Sequence, residues 1–497
     1  MLVSPDRLSI PKWSRAEFVF QVEESPSHFT ESWLKATFTL QNEEHVVQGF
    51  YDDEGRFLLR FMPEQEGAWH FQTDSNIPGL KGIVGQVTCT GPSEGDNGPV
   101  KIADTWHFSY ANGKPFYPFG TTAYVWNYQS EEVQKKTLAT LSDAPFNKIR
   151  MCVFPKHYTY NLREPVRFPF PGNIETGFDY SRFDCMFFHE LEAQIDSLKE
   201  RGIEADLILF HPYDRWGFSE MDEEVDKRYV SYLIARLASF SNVWWSLANE
   251  FDLLKHKPMS FWDGIFGQIV SEDPSNHLVS IHNWHNPPLH YTSNSHWYDQ
   301  TKPWASHASI QHHDLWFVGQ WREDYKKPIV IDECRYEGDV DLGWGNITAR
   351  KMVDLTWTGV CRGGYVTHGE SYLSEDEIIW WSHGGQLKGN SSERIGFLKA
   401  LLEEGKPKRL TPWIRTMNGH WDATIAHMDE DYWLLWFGES QPGFKLLSML
   451  PEGKEFFVDV IDAWEMTIER QPDTYKKGDR LELPGRPGLA LRMVSVN

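Results

Sequence analysis

The chain has 497 residues, 40% of them hydrophobic and 24% charged, a soluble globular composition too long for one core and long enough for two or three. Its net charge of -23 excludes nucleic acid and anionic membrane as partners, since both require basic surface, and suits a neutral substrate. No segment approaches the ~20 apolar residues of a membrane span, and Met1 to Arg15 lacks a signal-peptide pattern. With five scattered cysteines and no CxxC pair, a cytoplasmic location is expected.

From Glu17 to about Thr90 short strands alternate with turns: Leu34–Leu40 has period two, Asp52–Gly55 is a turn, and Arg56–Phe61 and Ala68–Thr73 follow as strands. Residues 1–100 are therefore expected to form a small β-sandwich, with 91–99 as a loop. From Pro115 the pattern changes to strand, helix, strand. The predicted strands are 116–121, 146–154, 203–210, 242–250, 278–282, a weaker 305–311, 328–333 and 364–367. The predicted helices are 131–141, 184–201, 223–240, 261–270, 345–360 and 393–404. Eight such units predict an α/β fold, a (β/α)8 TIM barrel over 101–410. A doubly wound sheet would carry a Gly-rich phosphate loop after its first strand, and Gly120-Thr-Thr-Ala123 is not one. Strands return at 432–437, 444–448, 455–460 and 489–494, and predict a second β-sandwich over 411–497.

Two apolar strands end in a carboxylate. Asn242-Val-Trp-Trp-Ser-Leu-Ala-Asn249 runs into Glu250, and Pro328-Ile-Val-Ile-Asp332 into Glu333. In a parallel barrel the strand ends converge on one mouth, so Glu250 and Glu333 are candidates for a facing pair. Two carboxylates flanking a glycosidic bond are the minimum equipment for its hydrolysis. The 23 tryptophans add broad faces of the kind that bind sugar rings, although most are expected in the core.

Strand four ending in Asn249-Glu250 and strand seven ending in Glu333 resemble the clan A retaining glycoside hydrolases. Gly49-Phe-Tyr-Asp52, Arg60-Phe-Met-Pro63 and Gly67-Ala-Trp69 are similar to the N-terminal module of a group of uncharacterised proteins related to glycoside hydrolase family 5. Thr367-His-Gly-Glu-Ser-Tyr372 and Trp380-Trp-Ser-His-Gly-Gly385 resemble that group's eighth-strand region. The resemblance implies a retaining two-glutamate hydrolysis of β-linked glycosides or short plant-type oligosaccharides, exo-acting, with Glu250 as acid/base and Glu333 as nucleophile. It further implies that Arg150 supports the nucleophile and that Asn249 bonds the sugar 2-hydroxyl. The clan's tyrosine near strand six is missing from Ser309-Ile-Gln-His-His313, and His312, His313 or Tyr298 are the candidates to replace it. His157, His211, His282, Trp284, His312, His368, Glu370 and Trp381 are expected to bind substrate, with Glu370 the main competitor for a catalytic role.

The alternative is a metal-dependent barrel hydrolase built on His157, His211, His282, His285, His312 and His313. An amidohydrolase-type site expects a His-x-His pair leaving strand one, and Tyr124-Val-Trp126 is unlike it. A third class, a scaffold that binds carbohydrate without catalysis, is disfavoured by the presence of both glutamates. No cofactor and no metal are expected; the expected partner is a small carbohydrate, and the composition leaves room for a homo-oligomer.

Overall fold

Eight short parallel strands occupy the centre of the computed structural model, which describes residues 1–22, 30–285, 297–376, 378–406, 409–414 and 423–496. Five of them, Gly120–Thr122, Lys148–Cys152, Glu204–Phe210, Val243–Ala248 and Val279–Ser280, pair in chain order in one sheet. The other three, Ala308–Gln311, Ile329–Glu333 and Tyr365–Val366, do the same in a second. Parallel bridges join the sheets at both seams, from His282 to Ser309 and from Thr121 to His368. We refer to these strands as one to eight. Nearly every residue in them is buried, as expected of parallel strands covered on both sides.

Helices connect the strands. Glu131–Asp143, Cys185–Lys199, Glu223–Leu237, Met259–Glu272, Ala349–Cys361 and Ser391–Glu403 match the predicted helices to within a few residues. Capping side chains start three of them: Ser130 accepts from Val133 N, Asp184 from Met186 N and Phe187 N, and Thr348 from Lys351 N. Val318–Tyr325, between strands six and seven, was not expected; its eight residues are too few to display a helical period. Among the parallel strands Lys148 Nζ donates to Asp206 at 2.7 Å and to Asp332 at 2.8 Å. Asp332 also accepts from Ser309 Oγ at 2.6 Å and Thr367 Oγ1 at 2.8 Å.

One expected strand moves. Pro115–Phe116 pairs with His107–Tyr110, which pairs with Val100–Ala103, in a small antiparallel sheet outside the parallel set. Its apolar residues Val100, Phe108 and Phe116 join Trp244 in one core cluster. Strand one therefore begins at Gly120, later than the apolar run Phe116-Tyr-Pro-Phe119 suggests.

Ahead of the parallel strands lie a five-stranded and a three-stranded sheet. Ala16–Gln21 alternates buried and half-buried residues, and its Phe18 and Phe20 share a core with Phe38, Phe61, Trp69 and Phe71 from both sheets. Two further strands, Arg7–Pro11 and Glu43–Gln48, edge the larger sheet. This region joins the rest of the molecule through buried ions. Arg60 donates to both carboxylate oxygens of Glu192, at 2.8 and 3.0 Å, and Arg236 to Asp52 Oδ1 at 2.8 Å.

At the C-terminal end a six-stranded and a two-stranded sheet share the core of Trp433, Leu435, Leu447, Leu481 and Leu491. Alternate residues face the other way: Trp436 stacks on Trp357 of the Ala349–Cys361 helix at 5.0 Å and donates from Nε1 to Asp354 at 2.9 Å. The strand Thr467–Lys476 was missed because its residues are almost all polar and exposed, leaving no alternation to read.

Candidate active site

Strand four is apolar and buried through Ala248, and the chain then turns. Glu250 has φ 52° and ψ 51°, a left-handed conformation that costs a non-glycine residue about 1–2 kcal/mol. Its side chain is buried and lines a cavity of about 380 Å³ together with Glu333, the last residue of strand seven. The two predicted glutamates therefore share one cavity.

Their surroundings differ. Glu333 accepts from Arg150 Nη1 at 3.2 Å and from the Tyr124 hydroxyl, and His282 Nε2 lies 3.4 Å from it. Burial alone would raise its pKa, but the hydrogen bond and charge of His282, then Arg150 and Lys156, outweigh burial and hold the carboxyl well below the usual range. Glu250 meets the Tyr213 hydroxyl, and the Gln311 amide, assigned by its partners, donates to Glu250 Oε1 at 3.0 Å and to Asn283 O at 2.9 Å. Burial and the nearby charge of Glu333 push its pKa up to about 8, against the opposing pull of Lys156 and Tyr213. One carboxyl is thus set to stay ionised and the other to keep its proton near neutral pH. An enzyme using both should hold kcat/KM on a plateau through neutral pH, with its acid limb below the usual carboxylate range, and lose it as pH rises through about 8, when Glu250 gives up its proton. A rate that continues to climb above pH 9 would contradict this arrangement.

Asn249 and Arg150 complete the set. Asn249 Oδ1 accepts from Arg150 Nη2 at 2.9 Å and lies 3.2 Å from the Tyr124 hydroxyl. That fixes the amide with its nitrogen as the available donor. The aromatic walls are Tyr124, Tyr158, Tyr213, Trp284, Tyr336, Trp344 and Trp381, with Trp344 and Trp381 5.0 Å apart.

Comparison with known proteins adds to this geometry. The profile described as "Apiosidase-like, catalytic domain" matches residues 103–428, about two thirds of the chain. The chain belongs to the apiosidase-like glycoside hydrolases. Profiles of two domains of unknown function match residues 9–76 and 421–494 of this family member. A crystal structure of a protein proposed to be a glycoside hydrolase, from Bacteroides vulgatus ATCC 8482, is 36% identical over 99% of this chain and 100% of its own, with a TM-score of 0.89. A family 5 glycoside hydrolase from the same organism is 16% identical over 80% of this chain and 94% of its own, TM-score 0.61, a likeness of fold. No curated protein sequence matches.

Of the other residues expected to bind substrate, His282 contacts Glu333, and Trp284, His312 and Trp381 line the cavity. His157, His211, His368 and Glu370 do not. His157 packs edge-on to Trp216. His211 bonds Phe154 O at 3.3 Å, and burial, then Lys156, pushes its pKa down to about 4. Thr367 points inward to Asp332, whereas His368 stacks on Phe146 at 4.7 Å. Glu370 accepts backbone hydrogen bonds from Lys388 at 2.6 Å and Gly389 at 2.8 Å, so it is a loop anchor and no competitor at the cavity.

Of the three candidates to replace the missing strand-six tyrosine, Tyr298 and His312 have side chains bonded elsewhere. Tyr298 donates to Asp263 at 2.9 Å, and His312 bonds the backbone of Asp314. The phenols at Glu333 are Tyr124, two residues after strand one, and Tyr336, whose hydroxyl lies 3.5 Å from that of Tyr124. Sequence reasoning missed Tyr124, Tyr213, Lys156 and Gln311. The one available signal was position, since each lies at or just beyond the C-terminal end of a parallel strand. The six histidines of the metal alternative do not converge. Among the described residues the one group with metal-ligand spacing is Glu337, His368 and Glu370, which contains none of them. Its carboxylates are occupied by the backbone N–H groups of residues 388–391. Among the described residues no helix is long and apolar enough to cross a membrane.

Proposed function

We propose that the protein is a retaining glycosidase acting on β-linked glycosides or short plant-type oligosaccharides. The observation that carries this reading is the unlike surroundings of two glutamates on one cavity: Glu333 accepts from Arg150 and Tyr124 with His282 beside it, whereas Glu250 is buried against Tyr213 and Gln311. Glu250 gives its proton to the glycosidic oxygen while Glu333 attacks the anomeric carbon, forming a glycosyl–enzyme ester. Glu250, now ionised, takes a proton from water, which attacks the same carbon and releases Glu333. Arg150, His282 and Tyr124 stabilise Glu333 as an anion, and Asn249 offers its amide nitrogen to the sugar 2-hydroxyl. A cavity of about 380 Å³, at the small end of ligand pockets, supports exo action on a terminal sugar.

The same reading takes residues 101–410 as a closed (β/α)8 barrel between β-sandwiches at 1–100 and 411–497. The two seam bridges and the cores shared between paired sheets support it.

The substrate is to be sought with a panel of aryl β-glycosides, with apiosides first in view of the family name, then xylosides, glucosides, galactosides and mannosides. With the best of these, proton NMR should show the β-anomer formed first. The corresponding 2-deoxy-2-fluoro glycoside should label the peptide carrying Glu333. First release of the α-anomer, with no adduct, would rule the double displacement out.

A further inference from the structure

Lys156 follows strand two, is 4% exposed and lines the cavity. Among the described residues its ammonium makes no ion pair. It lies instead over aromatic faces: 3.6 Å from the ring centre of Tyr124, 4.3 Å from Tyr213 and 4.9 Å from Trp381. An ammonium withdrawn from water needs compensation, and the negative faces of aromatic rings supply it.

What distinguishes this seat is where the two phenols point. The Tyr124 hydroxyl is bonded to Glu333 and the Tyr213 hydroxyl to Glu250. The ring faces of both phenols meet one cation, and their oxygens meet the two carboxyls. Tyr124 follows strand one, Tyr213 follows strand three, and Lys156, after strand two, sits between them. A cation on a phenol face restricts rotation of the ring and draws electron density from the hydroxyl, which strengthens it as a donor.

We propose that Lys156 is a positioning residue, a desolvated cation gripped between Tyr124 and Tyr213 that fixes Glu333 and Glu250 relative to one another. The inference rests on the reading of those two glutamates as the catalytic pair. The charged and titratable groups around Lys156 are Arg150 and Cys152 from strand two, His211 after strand three, Glu250 and Glu333, and the phenols of Tyr124, Tyr158 and Tyr213. Burial lowers the pKa of Lys156 itself; while protonated, its charge lowers the proton affinity of both carboxyls, so its removal should raise both.

The test compares Lys156→Met, which keeps the stem and removes the charge, with Lys156→Arg, Tyr213→Phe and the Met/Phe double variant. The assay uses the aryl β-glycoside that the wild-type enzyme hydrolyses fastest. Lys156→Met should lower kcat on the order of 10²-fold, the scale of a slightly misplaced reacting group, with KM changed by less than about 3-fold. Both limbs of its pH profile should move to higher pH. Lys156→Arg, whose guanidinium also stacks on aromatic rings, should restore part of kcat and the wild-type limbs. The double variant should lose little beyond the worse single one, because the two residues act as a unit.

Wild-type limbs and kcat in Lys156→Met, a rise in KM alone, or losses that multiply in the double variant would each overturn the proposal. Should Lys156→Met not fold, the comparison of Lys156→Arg with Tyr213→Phe decides. Arginine keeping the wild-type limbs supports the role, and arginine shifting them as far as Tyr213→Phe does refutes it. Glu250→Gln and Glu333→Gln are assayed alongside. If these retain activity the catalytic reading has failed, whereas their loss with an unaffected Lys156→Met removes the positioning role alone.

Discussion

Glu333→Gln should turn over an activated aryl glycoside at least about 10⁴-fold more slowly than the wild-type enzyme, with KM little changed. The amide is nearly isosteric and can still accept from Arg150 and Tyr124, so the cavity should keep its shape while losing the atom that attacks. In Glu333→Gly, which does empty the attack position, added azide or formate should recover part of the rate. Substantial residual activity without such an anion would sink the nucleophile assignment. It would also return attention to Glu250, the other carboxyl on the cavity.

Lys148→Met should be the most damaging substitution for stability. Lys148 is fully buried between Asp206 and Asp332 and donates to both. Removing one member of a buried ionic set strands the others without solvent, a loss of about 3–5 kcal/mol. Asp332 is held well below the usual carboxylate range because the charges of Lys148 and Arg150 outweigh its burial. Thermal unfolding of the variant should fall by about 3–5 °C. Adding Asp206→Asn, which removes the stranded charge, should recover part of it. A midpoint within 1 °C of wild type, on the scale of ~1 kcal/mol, would mean that the triad contributes little.

How much of this was readable in advance follows from what each feature depends on. Glu250 and Glu333 could be found because an apolar run that stops at a carboxylate is a local pattern, visible in consecutive residues. Arg150, Asn249 and His282 came with the strands that carry them. Tyr124, Tyr213 and Lys156 could not be picked out, because their roles arise only when strands one, two and three lie side by side. Within each of their own segments they look like any aromatic or basic residue beyond a strand. His368 and Glu370 lie off the cavity for the complementary reason. Near a strand end, one residue of register decides whether a side chain enters the mouth or the layer behind it, and Thr367 took the inward position. The polar strand Thr467–Lys476 and the short helix Val318–Tyr325 lack the periodicity on which recognition depends.

The ionic seam at one end of the molecule and the tryptophan stack at the other bear on how this enzyme can be handled as a gene product. Cutting the catalytic segment out for expression would leave Glu192 and Arg236 without Arg60 and Asp52, and would bare Trp357 where Trp436 had covered it. Such a fragment would carry a fresh sticky face and mismatched charges, the ingredients of inclusion bodies. The flanking sheets are therefore poor candidates for detachable cassettes. Engineering that transplants this active site should move the three parts together.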